Sequence, residues 1–317
     1  MESTQGITEG GMWRLVTGVP DARLCEGVLG YRGYWLAMNR PQRRIEVPNA
    51  TVTMAINFGD PVRVGPIATA PTRVTAATRA TAPTPVTSAA SLAPATVVTA
   101  ATSYTSLVNG LRTDSVLGEH EGRLHGVEVH FAPWMAYTVF GTDMHELRSR
   151  TVPLVDLLGP LSHQLEDRLA QAPCWRARFA LMDALLLHRL EVGRAPAPQV
   201  VWAWRELVRS DGLIPLSELM RAADWSARHL ELRFREQIGQ SPKTVSRVLR
   251  MRRTLSMLSS GRSPSNVAAS CGFYDQAHLH RDFRAMTGFT PKEFLAGRGG
   301  GNRPVDRVPG QITSILL

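Results

Sequence analysis

Gln276, Ala277, His278, His280 and Arg281 lie within six residues of one another near the C-terminus. A glutamine amide can bond adenine bidentately, and a guanidinium can bond guanine bidentately, in the major groove of duplex DNA. Imidazoles can donate to base edges or phosphates. This chemistry requires a helix that turns these groups outward. Leu279, Phe283 and Met286, spaced four and three apart, would anchor such a helix to a core. Asp275 is placed to cap its start and Gly288 to stop it. Just upstream, Val267, Ala268 and Cys271 outline a shorter helix that Gly272 ends, because glycine takes the left-handed conformation at little cost. A short helix, a tight turn and a second helix with polar and basic groups outward make a helix-turn-helix. The competing reading is a plain helical hairpin with a solvated face.

The same plan occurs once more, upstream. Leu216, Leu219 and Ala223 outline a first helix; Ser226 caps a second, with Leu230, Phe234 and Ile238 on its inner side. Ala227, Arg228 and Leu232 would form the exposed row of that second helix. The two caps stand 49 residues apart, at positions 226 and 275. Between them Pro242 to Ser259 has a helical pattern, with Val245, Val248, Leu249, Leu255 and Leu258 apolar. At 1.5 Å per residue this connector spans ~27 Å. Two helices so joined could enter major-groove segments about one turn, ~34 Å, apart. Arg233, Arg247 and Arg284 are candidates for phosphate contact, and Arg250 is expected in a buried ion pair.

From Leu213 to Arg298 the chain resembles the DNA-binding domain of the AraC/XylS family of transcription regulators. The first unit matches at Leu219, Ala223, Ser226, Leu230, Phe234, Gly239 and Ser241-Pro242, and the connector at Arg250 and Met257-Leu258. The second unit matches at Val267-Ala268, Gly272-Phe273, Gln276, Arg281, Phe283-Arg284, Gly288 and Pro291. The sequence departs from the family pattern at Leu232, where a basic residue is common, and at Val245, Thr254 and Pro264, which replace an aromatic, an Ala and an Ile. The first departure bears on base contact, the others on packing. The resemblance implies double-stranded DNA as partner, a small-molecule effector, a homodimer, contact with RNA polymerase, and activation more often than repression.

Composition agrees with the DNA-binding reading. The formal charge is +9. Arg205 to Arg298 holds 16 Lys and Arg against 9 Asp and Glu, so +7 of that surplus lies on the part that looks like the reader. Three distant cysteines, Cys25, Cys174 and Cys271, fit a reducing cytoplasm and no disulfide scaffold or zinc finger; Cys25 and Cys174 are expected to pack. No apolar run approaches a membrane span. His120, His125 and His130 come five apart, which does not place them on one strand face, so neither a metal nor another cofactor is expected. With no phosphate loop or nucleophile triad visible, the chain does not read as an enzyme. The alternatives are a metal-dependent cupin or alkyl-transfer repair enzyme carrying a DNA-binding module, and a constitutive binder with a dimerisation half.

The expected fold is α+β: a β-rich N-terminal domain with helices, then an all-α domain of two helix-turn-helix units joined by a long connector helix. Strands are expected at 34–38, 50–58, 104–108 and 127–131, and the resemblance makes this half a cupin-like barrel. Residues 66–103, nearly all Ala, Thr, Pro, Val and Ser, read as a flexible insertion, with one alternative strand at 96–99. Helices are expected at 153–170, 173–190 and 199–209. The domain boundaries are 1–192 for sensing and dimerisation, 193–198 for a linker, 199–298 for the DNA reader and 299–317 for a flexible tail.

Overall fold

The segment Arg123–Phe131 is buried over most of its length and is the hub of a sheet, and the strands around it assemble in an order remote from the chain order. The structure, a computed structural model, describes residues 1–8, 10–69, 96–98, 101–298, 307–308, 311–312 and 314–316. The strands of the first half are β1 (Glu2–Thr8), β2 (Gly11–Gly18), β3 (Val28–Met38), β4 (Gln42–Glu46), β5 (Val52–Asn57), β6 (Val62–Thr69), β7 (Thr96–Val98), β8 (Thr102–Tyr104), β9 (Ser106–Asn109), β10 (Val116–His120) and β11 (Arg123–Phe131). Helix α1 (Pro133–Phe140), a 3-10 turn at Met144–Leu147, and β12 (Thr151–Pro153) follow. Then come α2 (Val155–Leu158), α3 (Leu161–Gln171), α4 (Trp175–Val192), α5 (Pro198–Arg209), α6 (Leu216–Ala223), α7 (Ala227–Ile238), α8 (Pro242–Ser259), α9 (Pro264–Ser270), α10 (Gln276–Thr287) and α11 (Pro291–Arg298). Short strands β13 (Arg307–Val308), β14 (Gln311–Ile312) and β15 (Ser314–Leu316) close the description.

One antiparallel sheet runs β1-β2-β3-β11-β5-β9-β12 and a second runs β15-β4-β10-β6-β7, with β8 also on β6. Glu128 on the first sheet feels the charge of Arg44 on the second, so the polar face of the first sheet looks onto the second and the β-rich half is a barrel-like pair of sheets. Most of the segment read as a flexible insertion, 70–95 with 99–100, lies outside the described residues. Its ends are strands β6, β7 and β8, and β7 coincides with the alternative strand reading.

The seven-stranded sheet has two different faces. Tyr31, Gly33, Val127 and Val129 turn toward α4, where Phe179 stacks on Tyr31 with ring centroids 5.5 Å apart. A Cβ at Gly33 would fall 2.3 Å from the Trp175 ring, so only glycine admits the indole there. Asp183 of α4 accepts bonds from the Tyr31 hydroxyl at 2.8 Å and the Asp21 amide at 2.9 Å. The opposite face is polar although buried. Arg32 and Glu128 are cross-strand partners that form an ion pair, with Nε to Oε2 at 2.8 Å. His130 Nε2 stands 3.6 Å from the same carboxylate. Burial works against the charge of Glu128, but Arg32 and then His130 hold its carboxyl well below the usual range.

Three sequence expectations change. The helix read over 153–170 is broken into α2 and α3 at Gly159 (φ 57°), because Pro160 has no amide proton for the helix and disfavours helical backbone before it. Cys25 and Cys174 are exposed rather than packed; Cys174 takes the N-cap position of α4. Helix α1 is not among the expected helices; all its residues are buried and it packs against both α4 and α7. The tail segment 314–316 pairs antiparallel with β4.

The buried pair yields a prediction. Glu128→Ala strands the Arg32 charge and is expected to cost about 3–5 kcal/mol of stability, read by chemical denaturation. Because the folded-state pKa of Glu128 is depressed, its contribution is full above the ordinary glutamate range and lost as pH falls below it. The variant should therefore show a shallower loss of stability in acid.

Candidate nucleic-acid interface

Both helix-turn-helix units form as their caps and apolar rows require. In the first, α6 ends on Asp224 in the left-handed conformation (φ 52°). Ser226 Oγ accepts the His229 amide at 3.2 Å and starts α7. Leu230, Phe234 and Ile238 are fully buried. In the second, Gly272 (φ 68°) makes the turn and Asp275 Oδ1 accepts the His278 amide at 2.6 Å to start α10. Leu279 and Phe283 are fully buried and Met286 nearly so. Leu216 departs from the expected buried row: it is 41% exposed at the start of α6, leaving Leu219 and Ala223 to hold that helix. Pro264 sits in the first turn of α9 behind the Ser263 cap, where a missing amide proton costs nothing.

The exposed rows come out on both reading helices. Ala227, Arg228 and Leu232 are exposed on α7, Leu232 to 63%. Gln276, Ala277, Arg281 and Arg284 are exposed on α10. Among the described residues Arg228, Arg281 and Arg284 form no ion pair, so their charge is available to an outside anion. Gln276 Oε1 accepts from Ser265 Oγ at 3.1 Å, which leaves its amide nitrogen for other acceptors.

Other candidates are placed differently. In place of an outward position, His278 is half-buried: Nδ1 accepts the Tyr274 amide at 3.4 Å and the ring stands edge-on to Phe273 at 5.4 Å. It braces the turn. His280 is also half-buried, with Nε2 enclosed and unpartnered, so it sits off the exposed row. Arg233 pairs with Glu236 at 2.8 Å, and Arg247 with Asp282 at 3.3 Å. Among the described residues Arg250 is not in the ion pair expected of it; it donates to the Gly272 carbonyl at 3.4 Å and lies 5.7 Å over the Phe273 ring, holding the second turn. Tyr274, in that turn, is 93% exposed beside the exposed row. The sequence reading passed over it, although an aromatic flanked by a turn glycine and a cap was the available signal.

Helix α8 runs over the expected 18 residues and is tied to its neighbours by ion pairs along its middle. Arg252 and Arg253 reach Asp211 at 3.4 and 3.2 Å, and Arg247 bonds to α10 through Asp282. A loop of the β-rich half then touches the C-terminal ends of both reading helices. Gln240, two residues past α7, donates Nε2 to the Leu111 carbonyl at 3.3 Å. The amide and hydroxyl of Ser115 both donate to the Met286 carbonyl of α10, at 2.9 and 3.1 Å. Tyr137 of α1 also donates to Glu236 of α7 at 3.2 Å.

The family model described as a helix-turn-helix domain matches residues 219–297. This part of the chain is an AraC-type helix-turn-helix domain. No curated protein matches the chain. Among solved structures, the xylose-binding transcription activator XylR is 20% identical over 38% of this chain and 39% of its own, with a TM-score of 0.29. ToxT from Vibrio cholerae is 8% identical over 84% of this chain and 96% of its own, with a TM-score of 0.42. ToxT with an unsaturated fatty acid bound is 10% identical over 90% and 100%, with a TM-score of 0.41. This chain thus spans well under half of the XylR chain, and at these scores neither likeness bears on what it binds. No helix among the described residues is long and apolar enough to cross a membrane, and no cluster of three potential metal ligands occurs among them.

The left-handed turn is open to test. At Gly272 a Cβ would also meet Leu213 Cδ2 at 2.9 Å. Gly272→Ala is expected to lower stability by about 1–3 kcal/mol, seen as a fall in Tm, and to weaken DNA binding by displacing α10.

Proposed function

We propose that the chain is a sequence-specific, DNA-binding transcription regulator that inserts α7 and α10 into adjacent major-groove segments. The observation that carries this reading is the pair of exposed rows, Ala227-Arg228-Leu232 and Gln276-Ala277-Arg281, on two capped helices linked by one rigid connector. Arg281 and Gln276 have the chemistry to read guanine and adenine. Ala227 and Leu232 suit apolar contact with thymine methyls, and Arg228 and Arg284 suit phosphate. Arg233 and Arg247 reach phosphate only by giving up carboxylate partners. His278 serves the interface by fixing the turn.

The β-rich half is read as the sensing half, with the protein cytoplasmic, non-enzymatic and acting as an activator, as a homodimer in contact with RNA polymerase. Its hydrogen bonds to both reading-helix ends support a population shift, in which a small effector changes how α7 and α10 are presented. A cavity of about 540 Å³ beside Arg32 and His130, lined also by Tyr31 and Val28, offers room for such a ligand.

The test is selection of genomic fragments by the purified chain at physiological salt. Enrichment of a few fragments sharing two short elements about one helical turn apart is the expected result; uniform binding that vanishes as salt rises would overturn the reading. On a selected site Arg281→Ala should lose about 1–3 kcal/mol of affinity with non-specific binding almost unchanged. Gln240→Ala, far from the exposed rows, should relax the preferred spacing of the two elements in the same selection.

A further inference from the structure

A row of four cross-strand neighbours crosses the α4 face of the seven-stranded sheet. Gln5 pairs with Arg14, Arg14 with Trp35, and Trp35 with His125, one residue from each of β1, β2, β3 and β11. Directly paired residues of antiparallel strands share a face, so these four side chains stand side by side. Trp175 and Arg178 of α4 close over them, and all six line a cleft of about 730 Å³, within the range of small-molecule sites.

The chemistry of the cleft is one-sided. Among the described residues no aspartate or glutamate lines it. Arg14 gives a bond to Ser3 Oγ at 3.2 Å, and Arg178 gives bonds to the Leu169 and Ala170 carbonyls at 2.9 and 3.5 Å; neither meets a carboxylate among the described residues. The Arg178 guanidinium lies 4.8 Å over the Trp175 ring, and the ring of His125 stands edge-on to Trp175 at 5.6 Å. Burial, with Arg178 nearby, pushes the His125 pKa down, so the imidazole is neutral at pH 7. Trp35 remains 37% exposed, so part of its indole is open to a ligand. Aromatic faces favour a flat π-system, and two guanidiniums without carboxylate partners favour an anion that can take bidentate bonds. A cation would be repelled, and an aliphatic acid would lose the stacking.

We propose that this cleft binds a planar aromatic carboxylate, its ring against Trp35 and its carboxylate on Arg14 and Arg178. The proposal rests on the β-rich half being the sensing half, and it places the ligand outside the Arg32-lined cavity. Occupancy acts on α4, whose neighbour α1 also packs on the first reading helix α7.

The experiment is calorimetric titration of the full chain with indole-3-acetate, its uncharged amide and cyclohexylacetate. The acid is expected to bind at least tenfold more tightly than either control. Arg178→Gln and Trp35→Leu should each weaken it about tenfold, with Arg14→Gln as a third variant on an exposed strand position; each free variant is first checked for an unchanged melting profile. Equal binding of acid and amide, undiminished binding by the folded variants, or no binding of the acid at millimolar concentration would overturn the proposal. Genomic fragment selection on the same preparation separates the two readings. Selective DNA binding without acid binding sinks only the cleft, whereas loss of selectivity sinks the regulator whatever the titration shows.

Discussion

Every short helix leaves its first amides without partners, and the DNA-reading part of this chain is organised around meeting that demand. Ser226, Ser241, Ser263 and Asp275 each accept the amide three residues on, and so start α7, α8, α9 and α10. Helices of 7 to 18 residues are marginal alone in water. They persist here because each cap fixes where a helix begins, and that choice decides which residues turn inward. Moving one cap by a single position would rotate a helix by about 100° and carry Arg281 or Leu232 off the exposed row. The left-handed residues Asp224 and Gly272 set the angle at which the second helix of each unit leaves the first.

The reader was legible in the sequence for this reason. Caps, stops and a 3.6-residue apolar period are local signals, and the span of α8 and the buried rows follow from them. What escaped was set by tertiary contact. Helix α1 is buried on every side, so no amphipathic period marks it; only Pro133 at its start and Gly141 at its end were visible. His280 sits on a helix face that looks exposed by spacing but is partly covered by neighbouring elements, and Arg250 meets a carbonyl and a ring where a carboxylate was expected. The strand order pairs β3 with β11 across about ninety residues, and nothing local encodes such a partner.

The β-rich half carries its polar groups where a sheet would ordinarily be greasy. Arg32, Glu128 and His130 sit among one another inside it, while the face toward α4 holds the aromatics and glycines that let a helix lie close. The two halves are not beads on a string. The loop containing Leu111 and Ser115 reaches the ends of both reading helices, and α1 is wedged between α4 and α7. A disturbance on either face of the sheet therefore has a short, packed route to the reader.

The pairing of Ser314–Leu316 with β4 has a consequence for assembly. A strand at the rim of a sheet offers unpaired amides and carbonyls to any other extended chain. Here the polypeptide's own last described strand occupies that rim, next to Arg44 and Glu46. Lifting it away, by a bulky fusion or by trimming, would turn the second sheet into a template for edge-to-edge polymerisation with another molecule of itself.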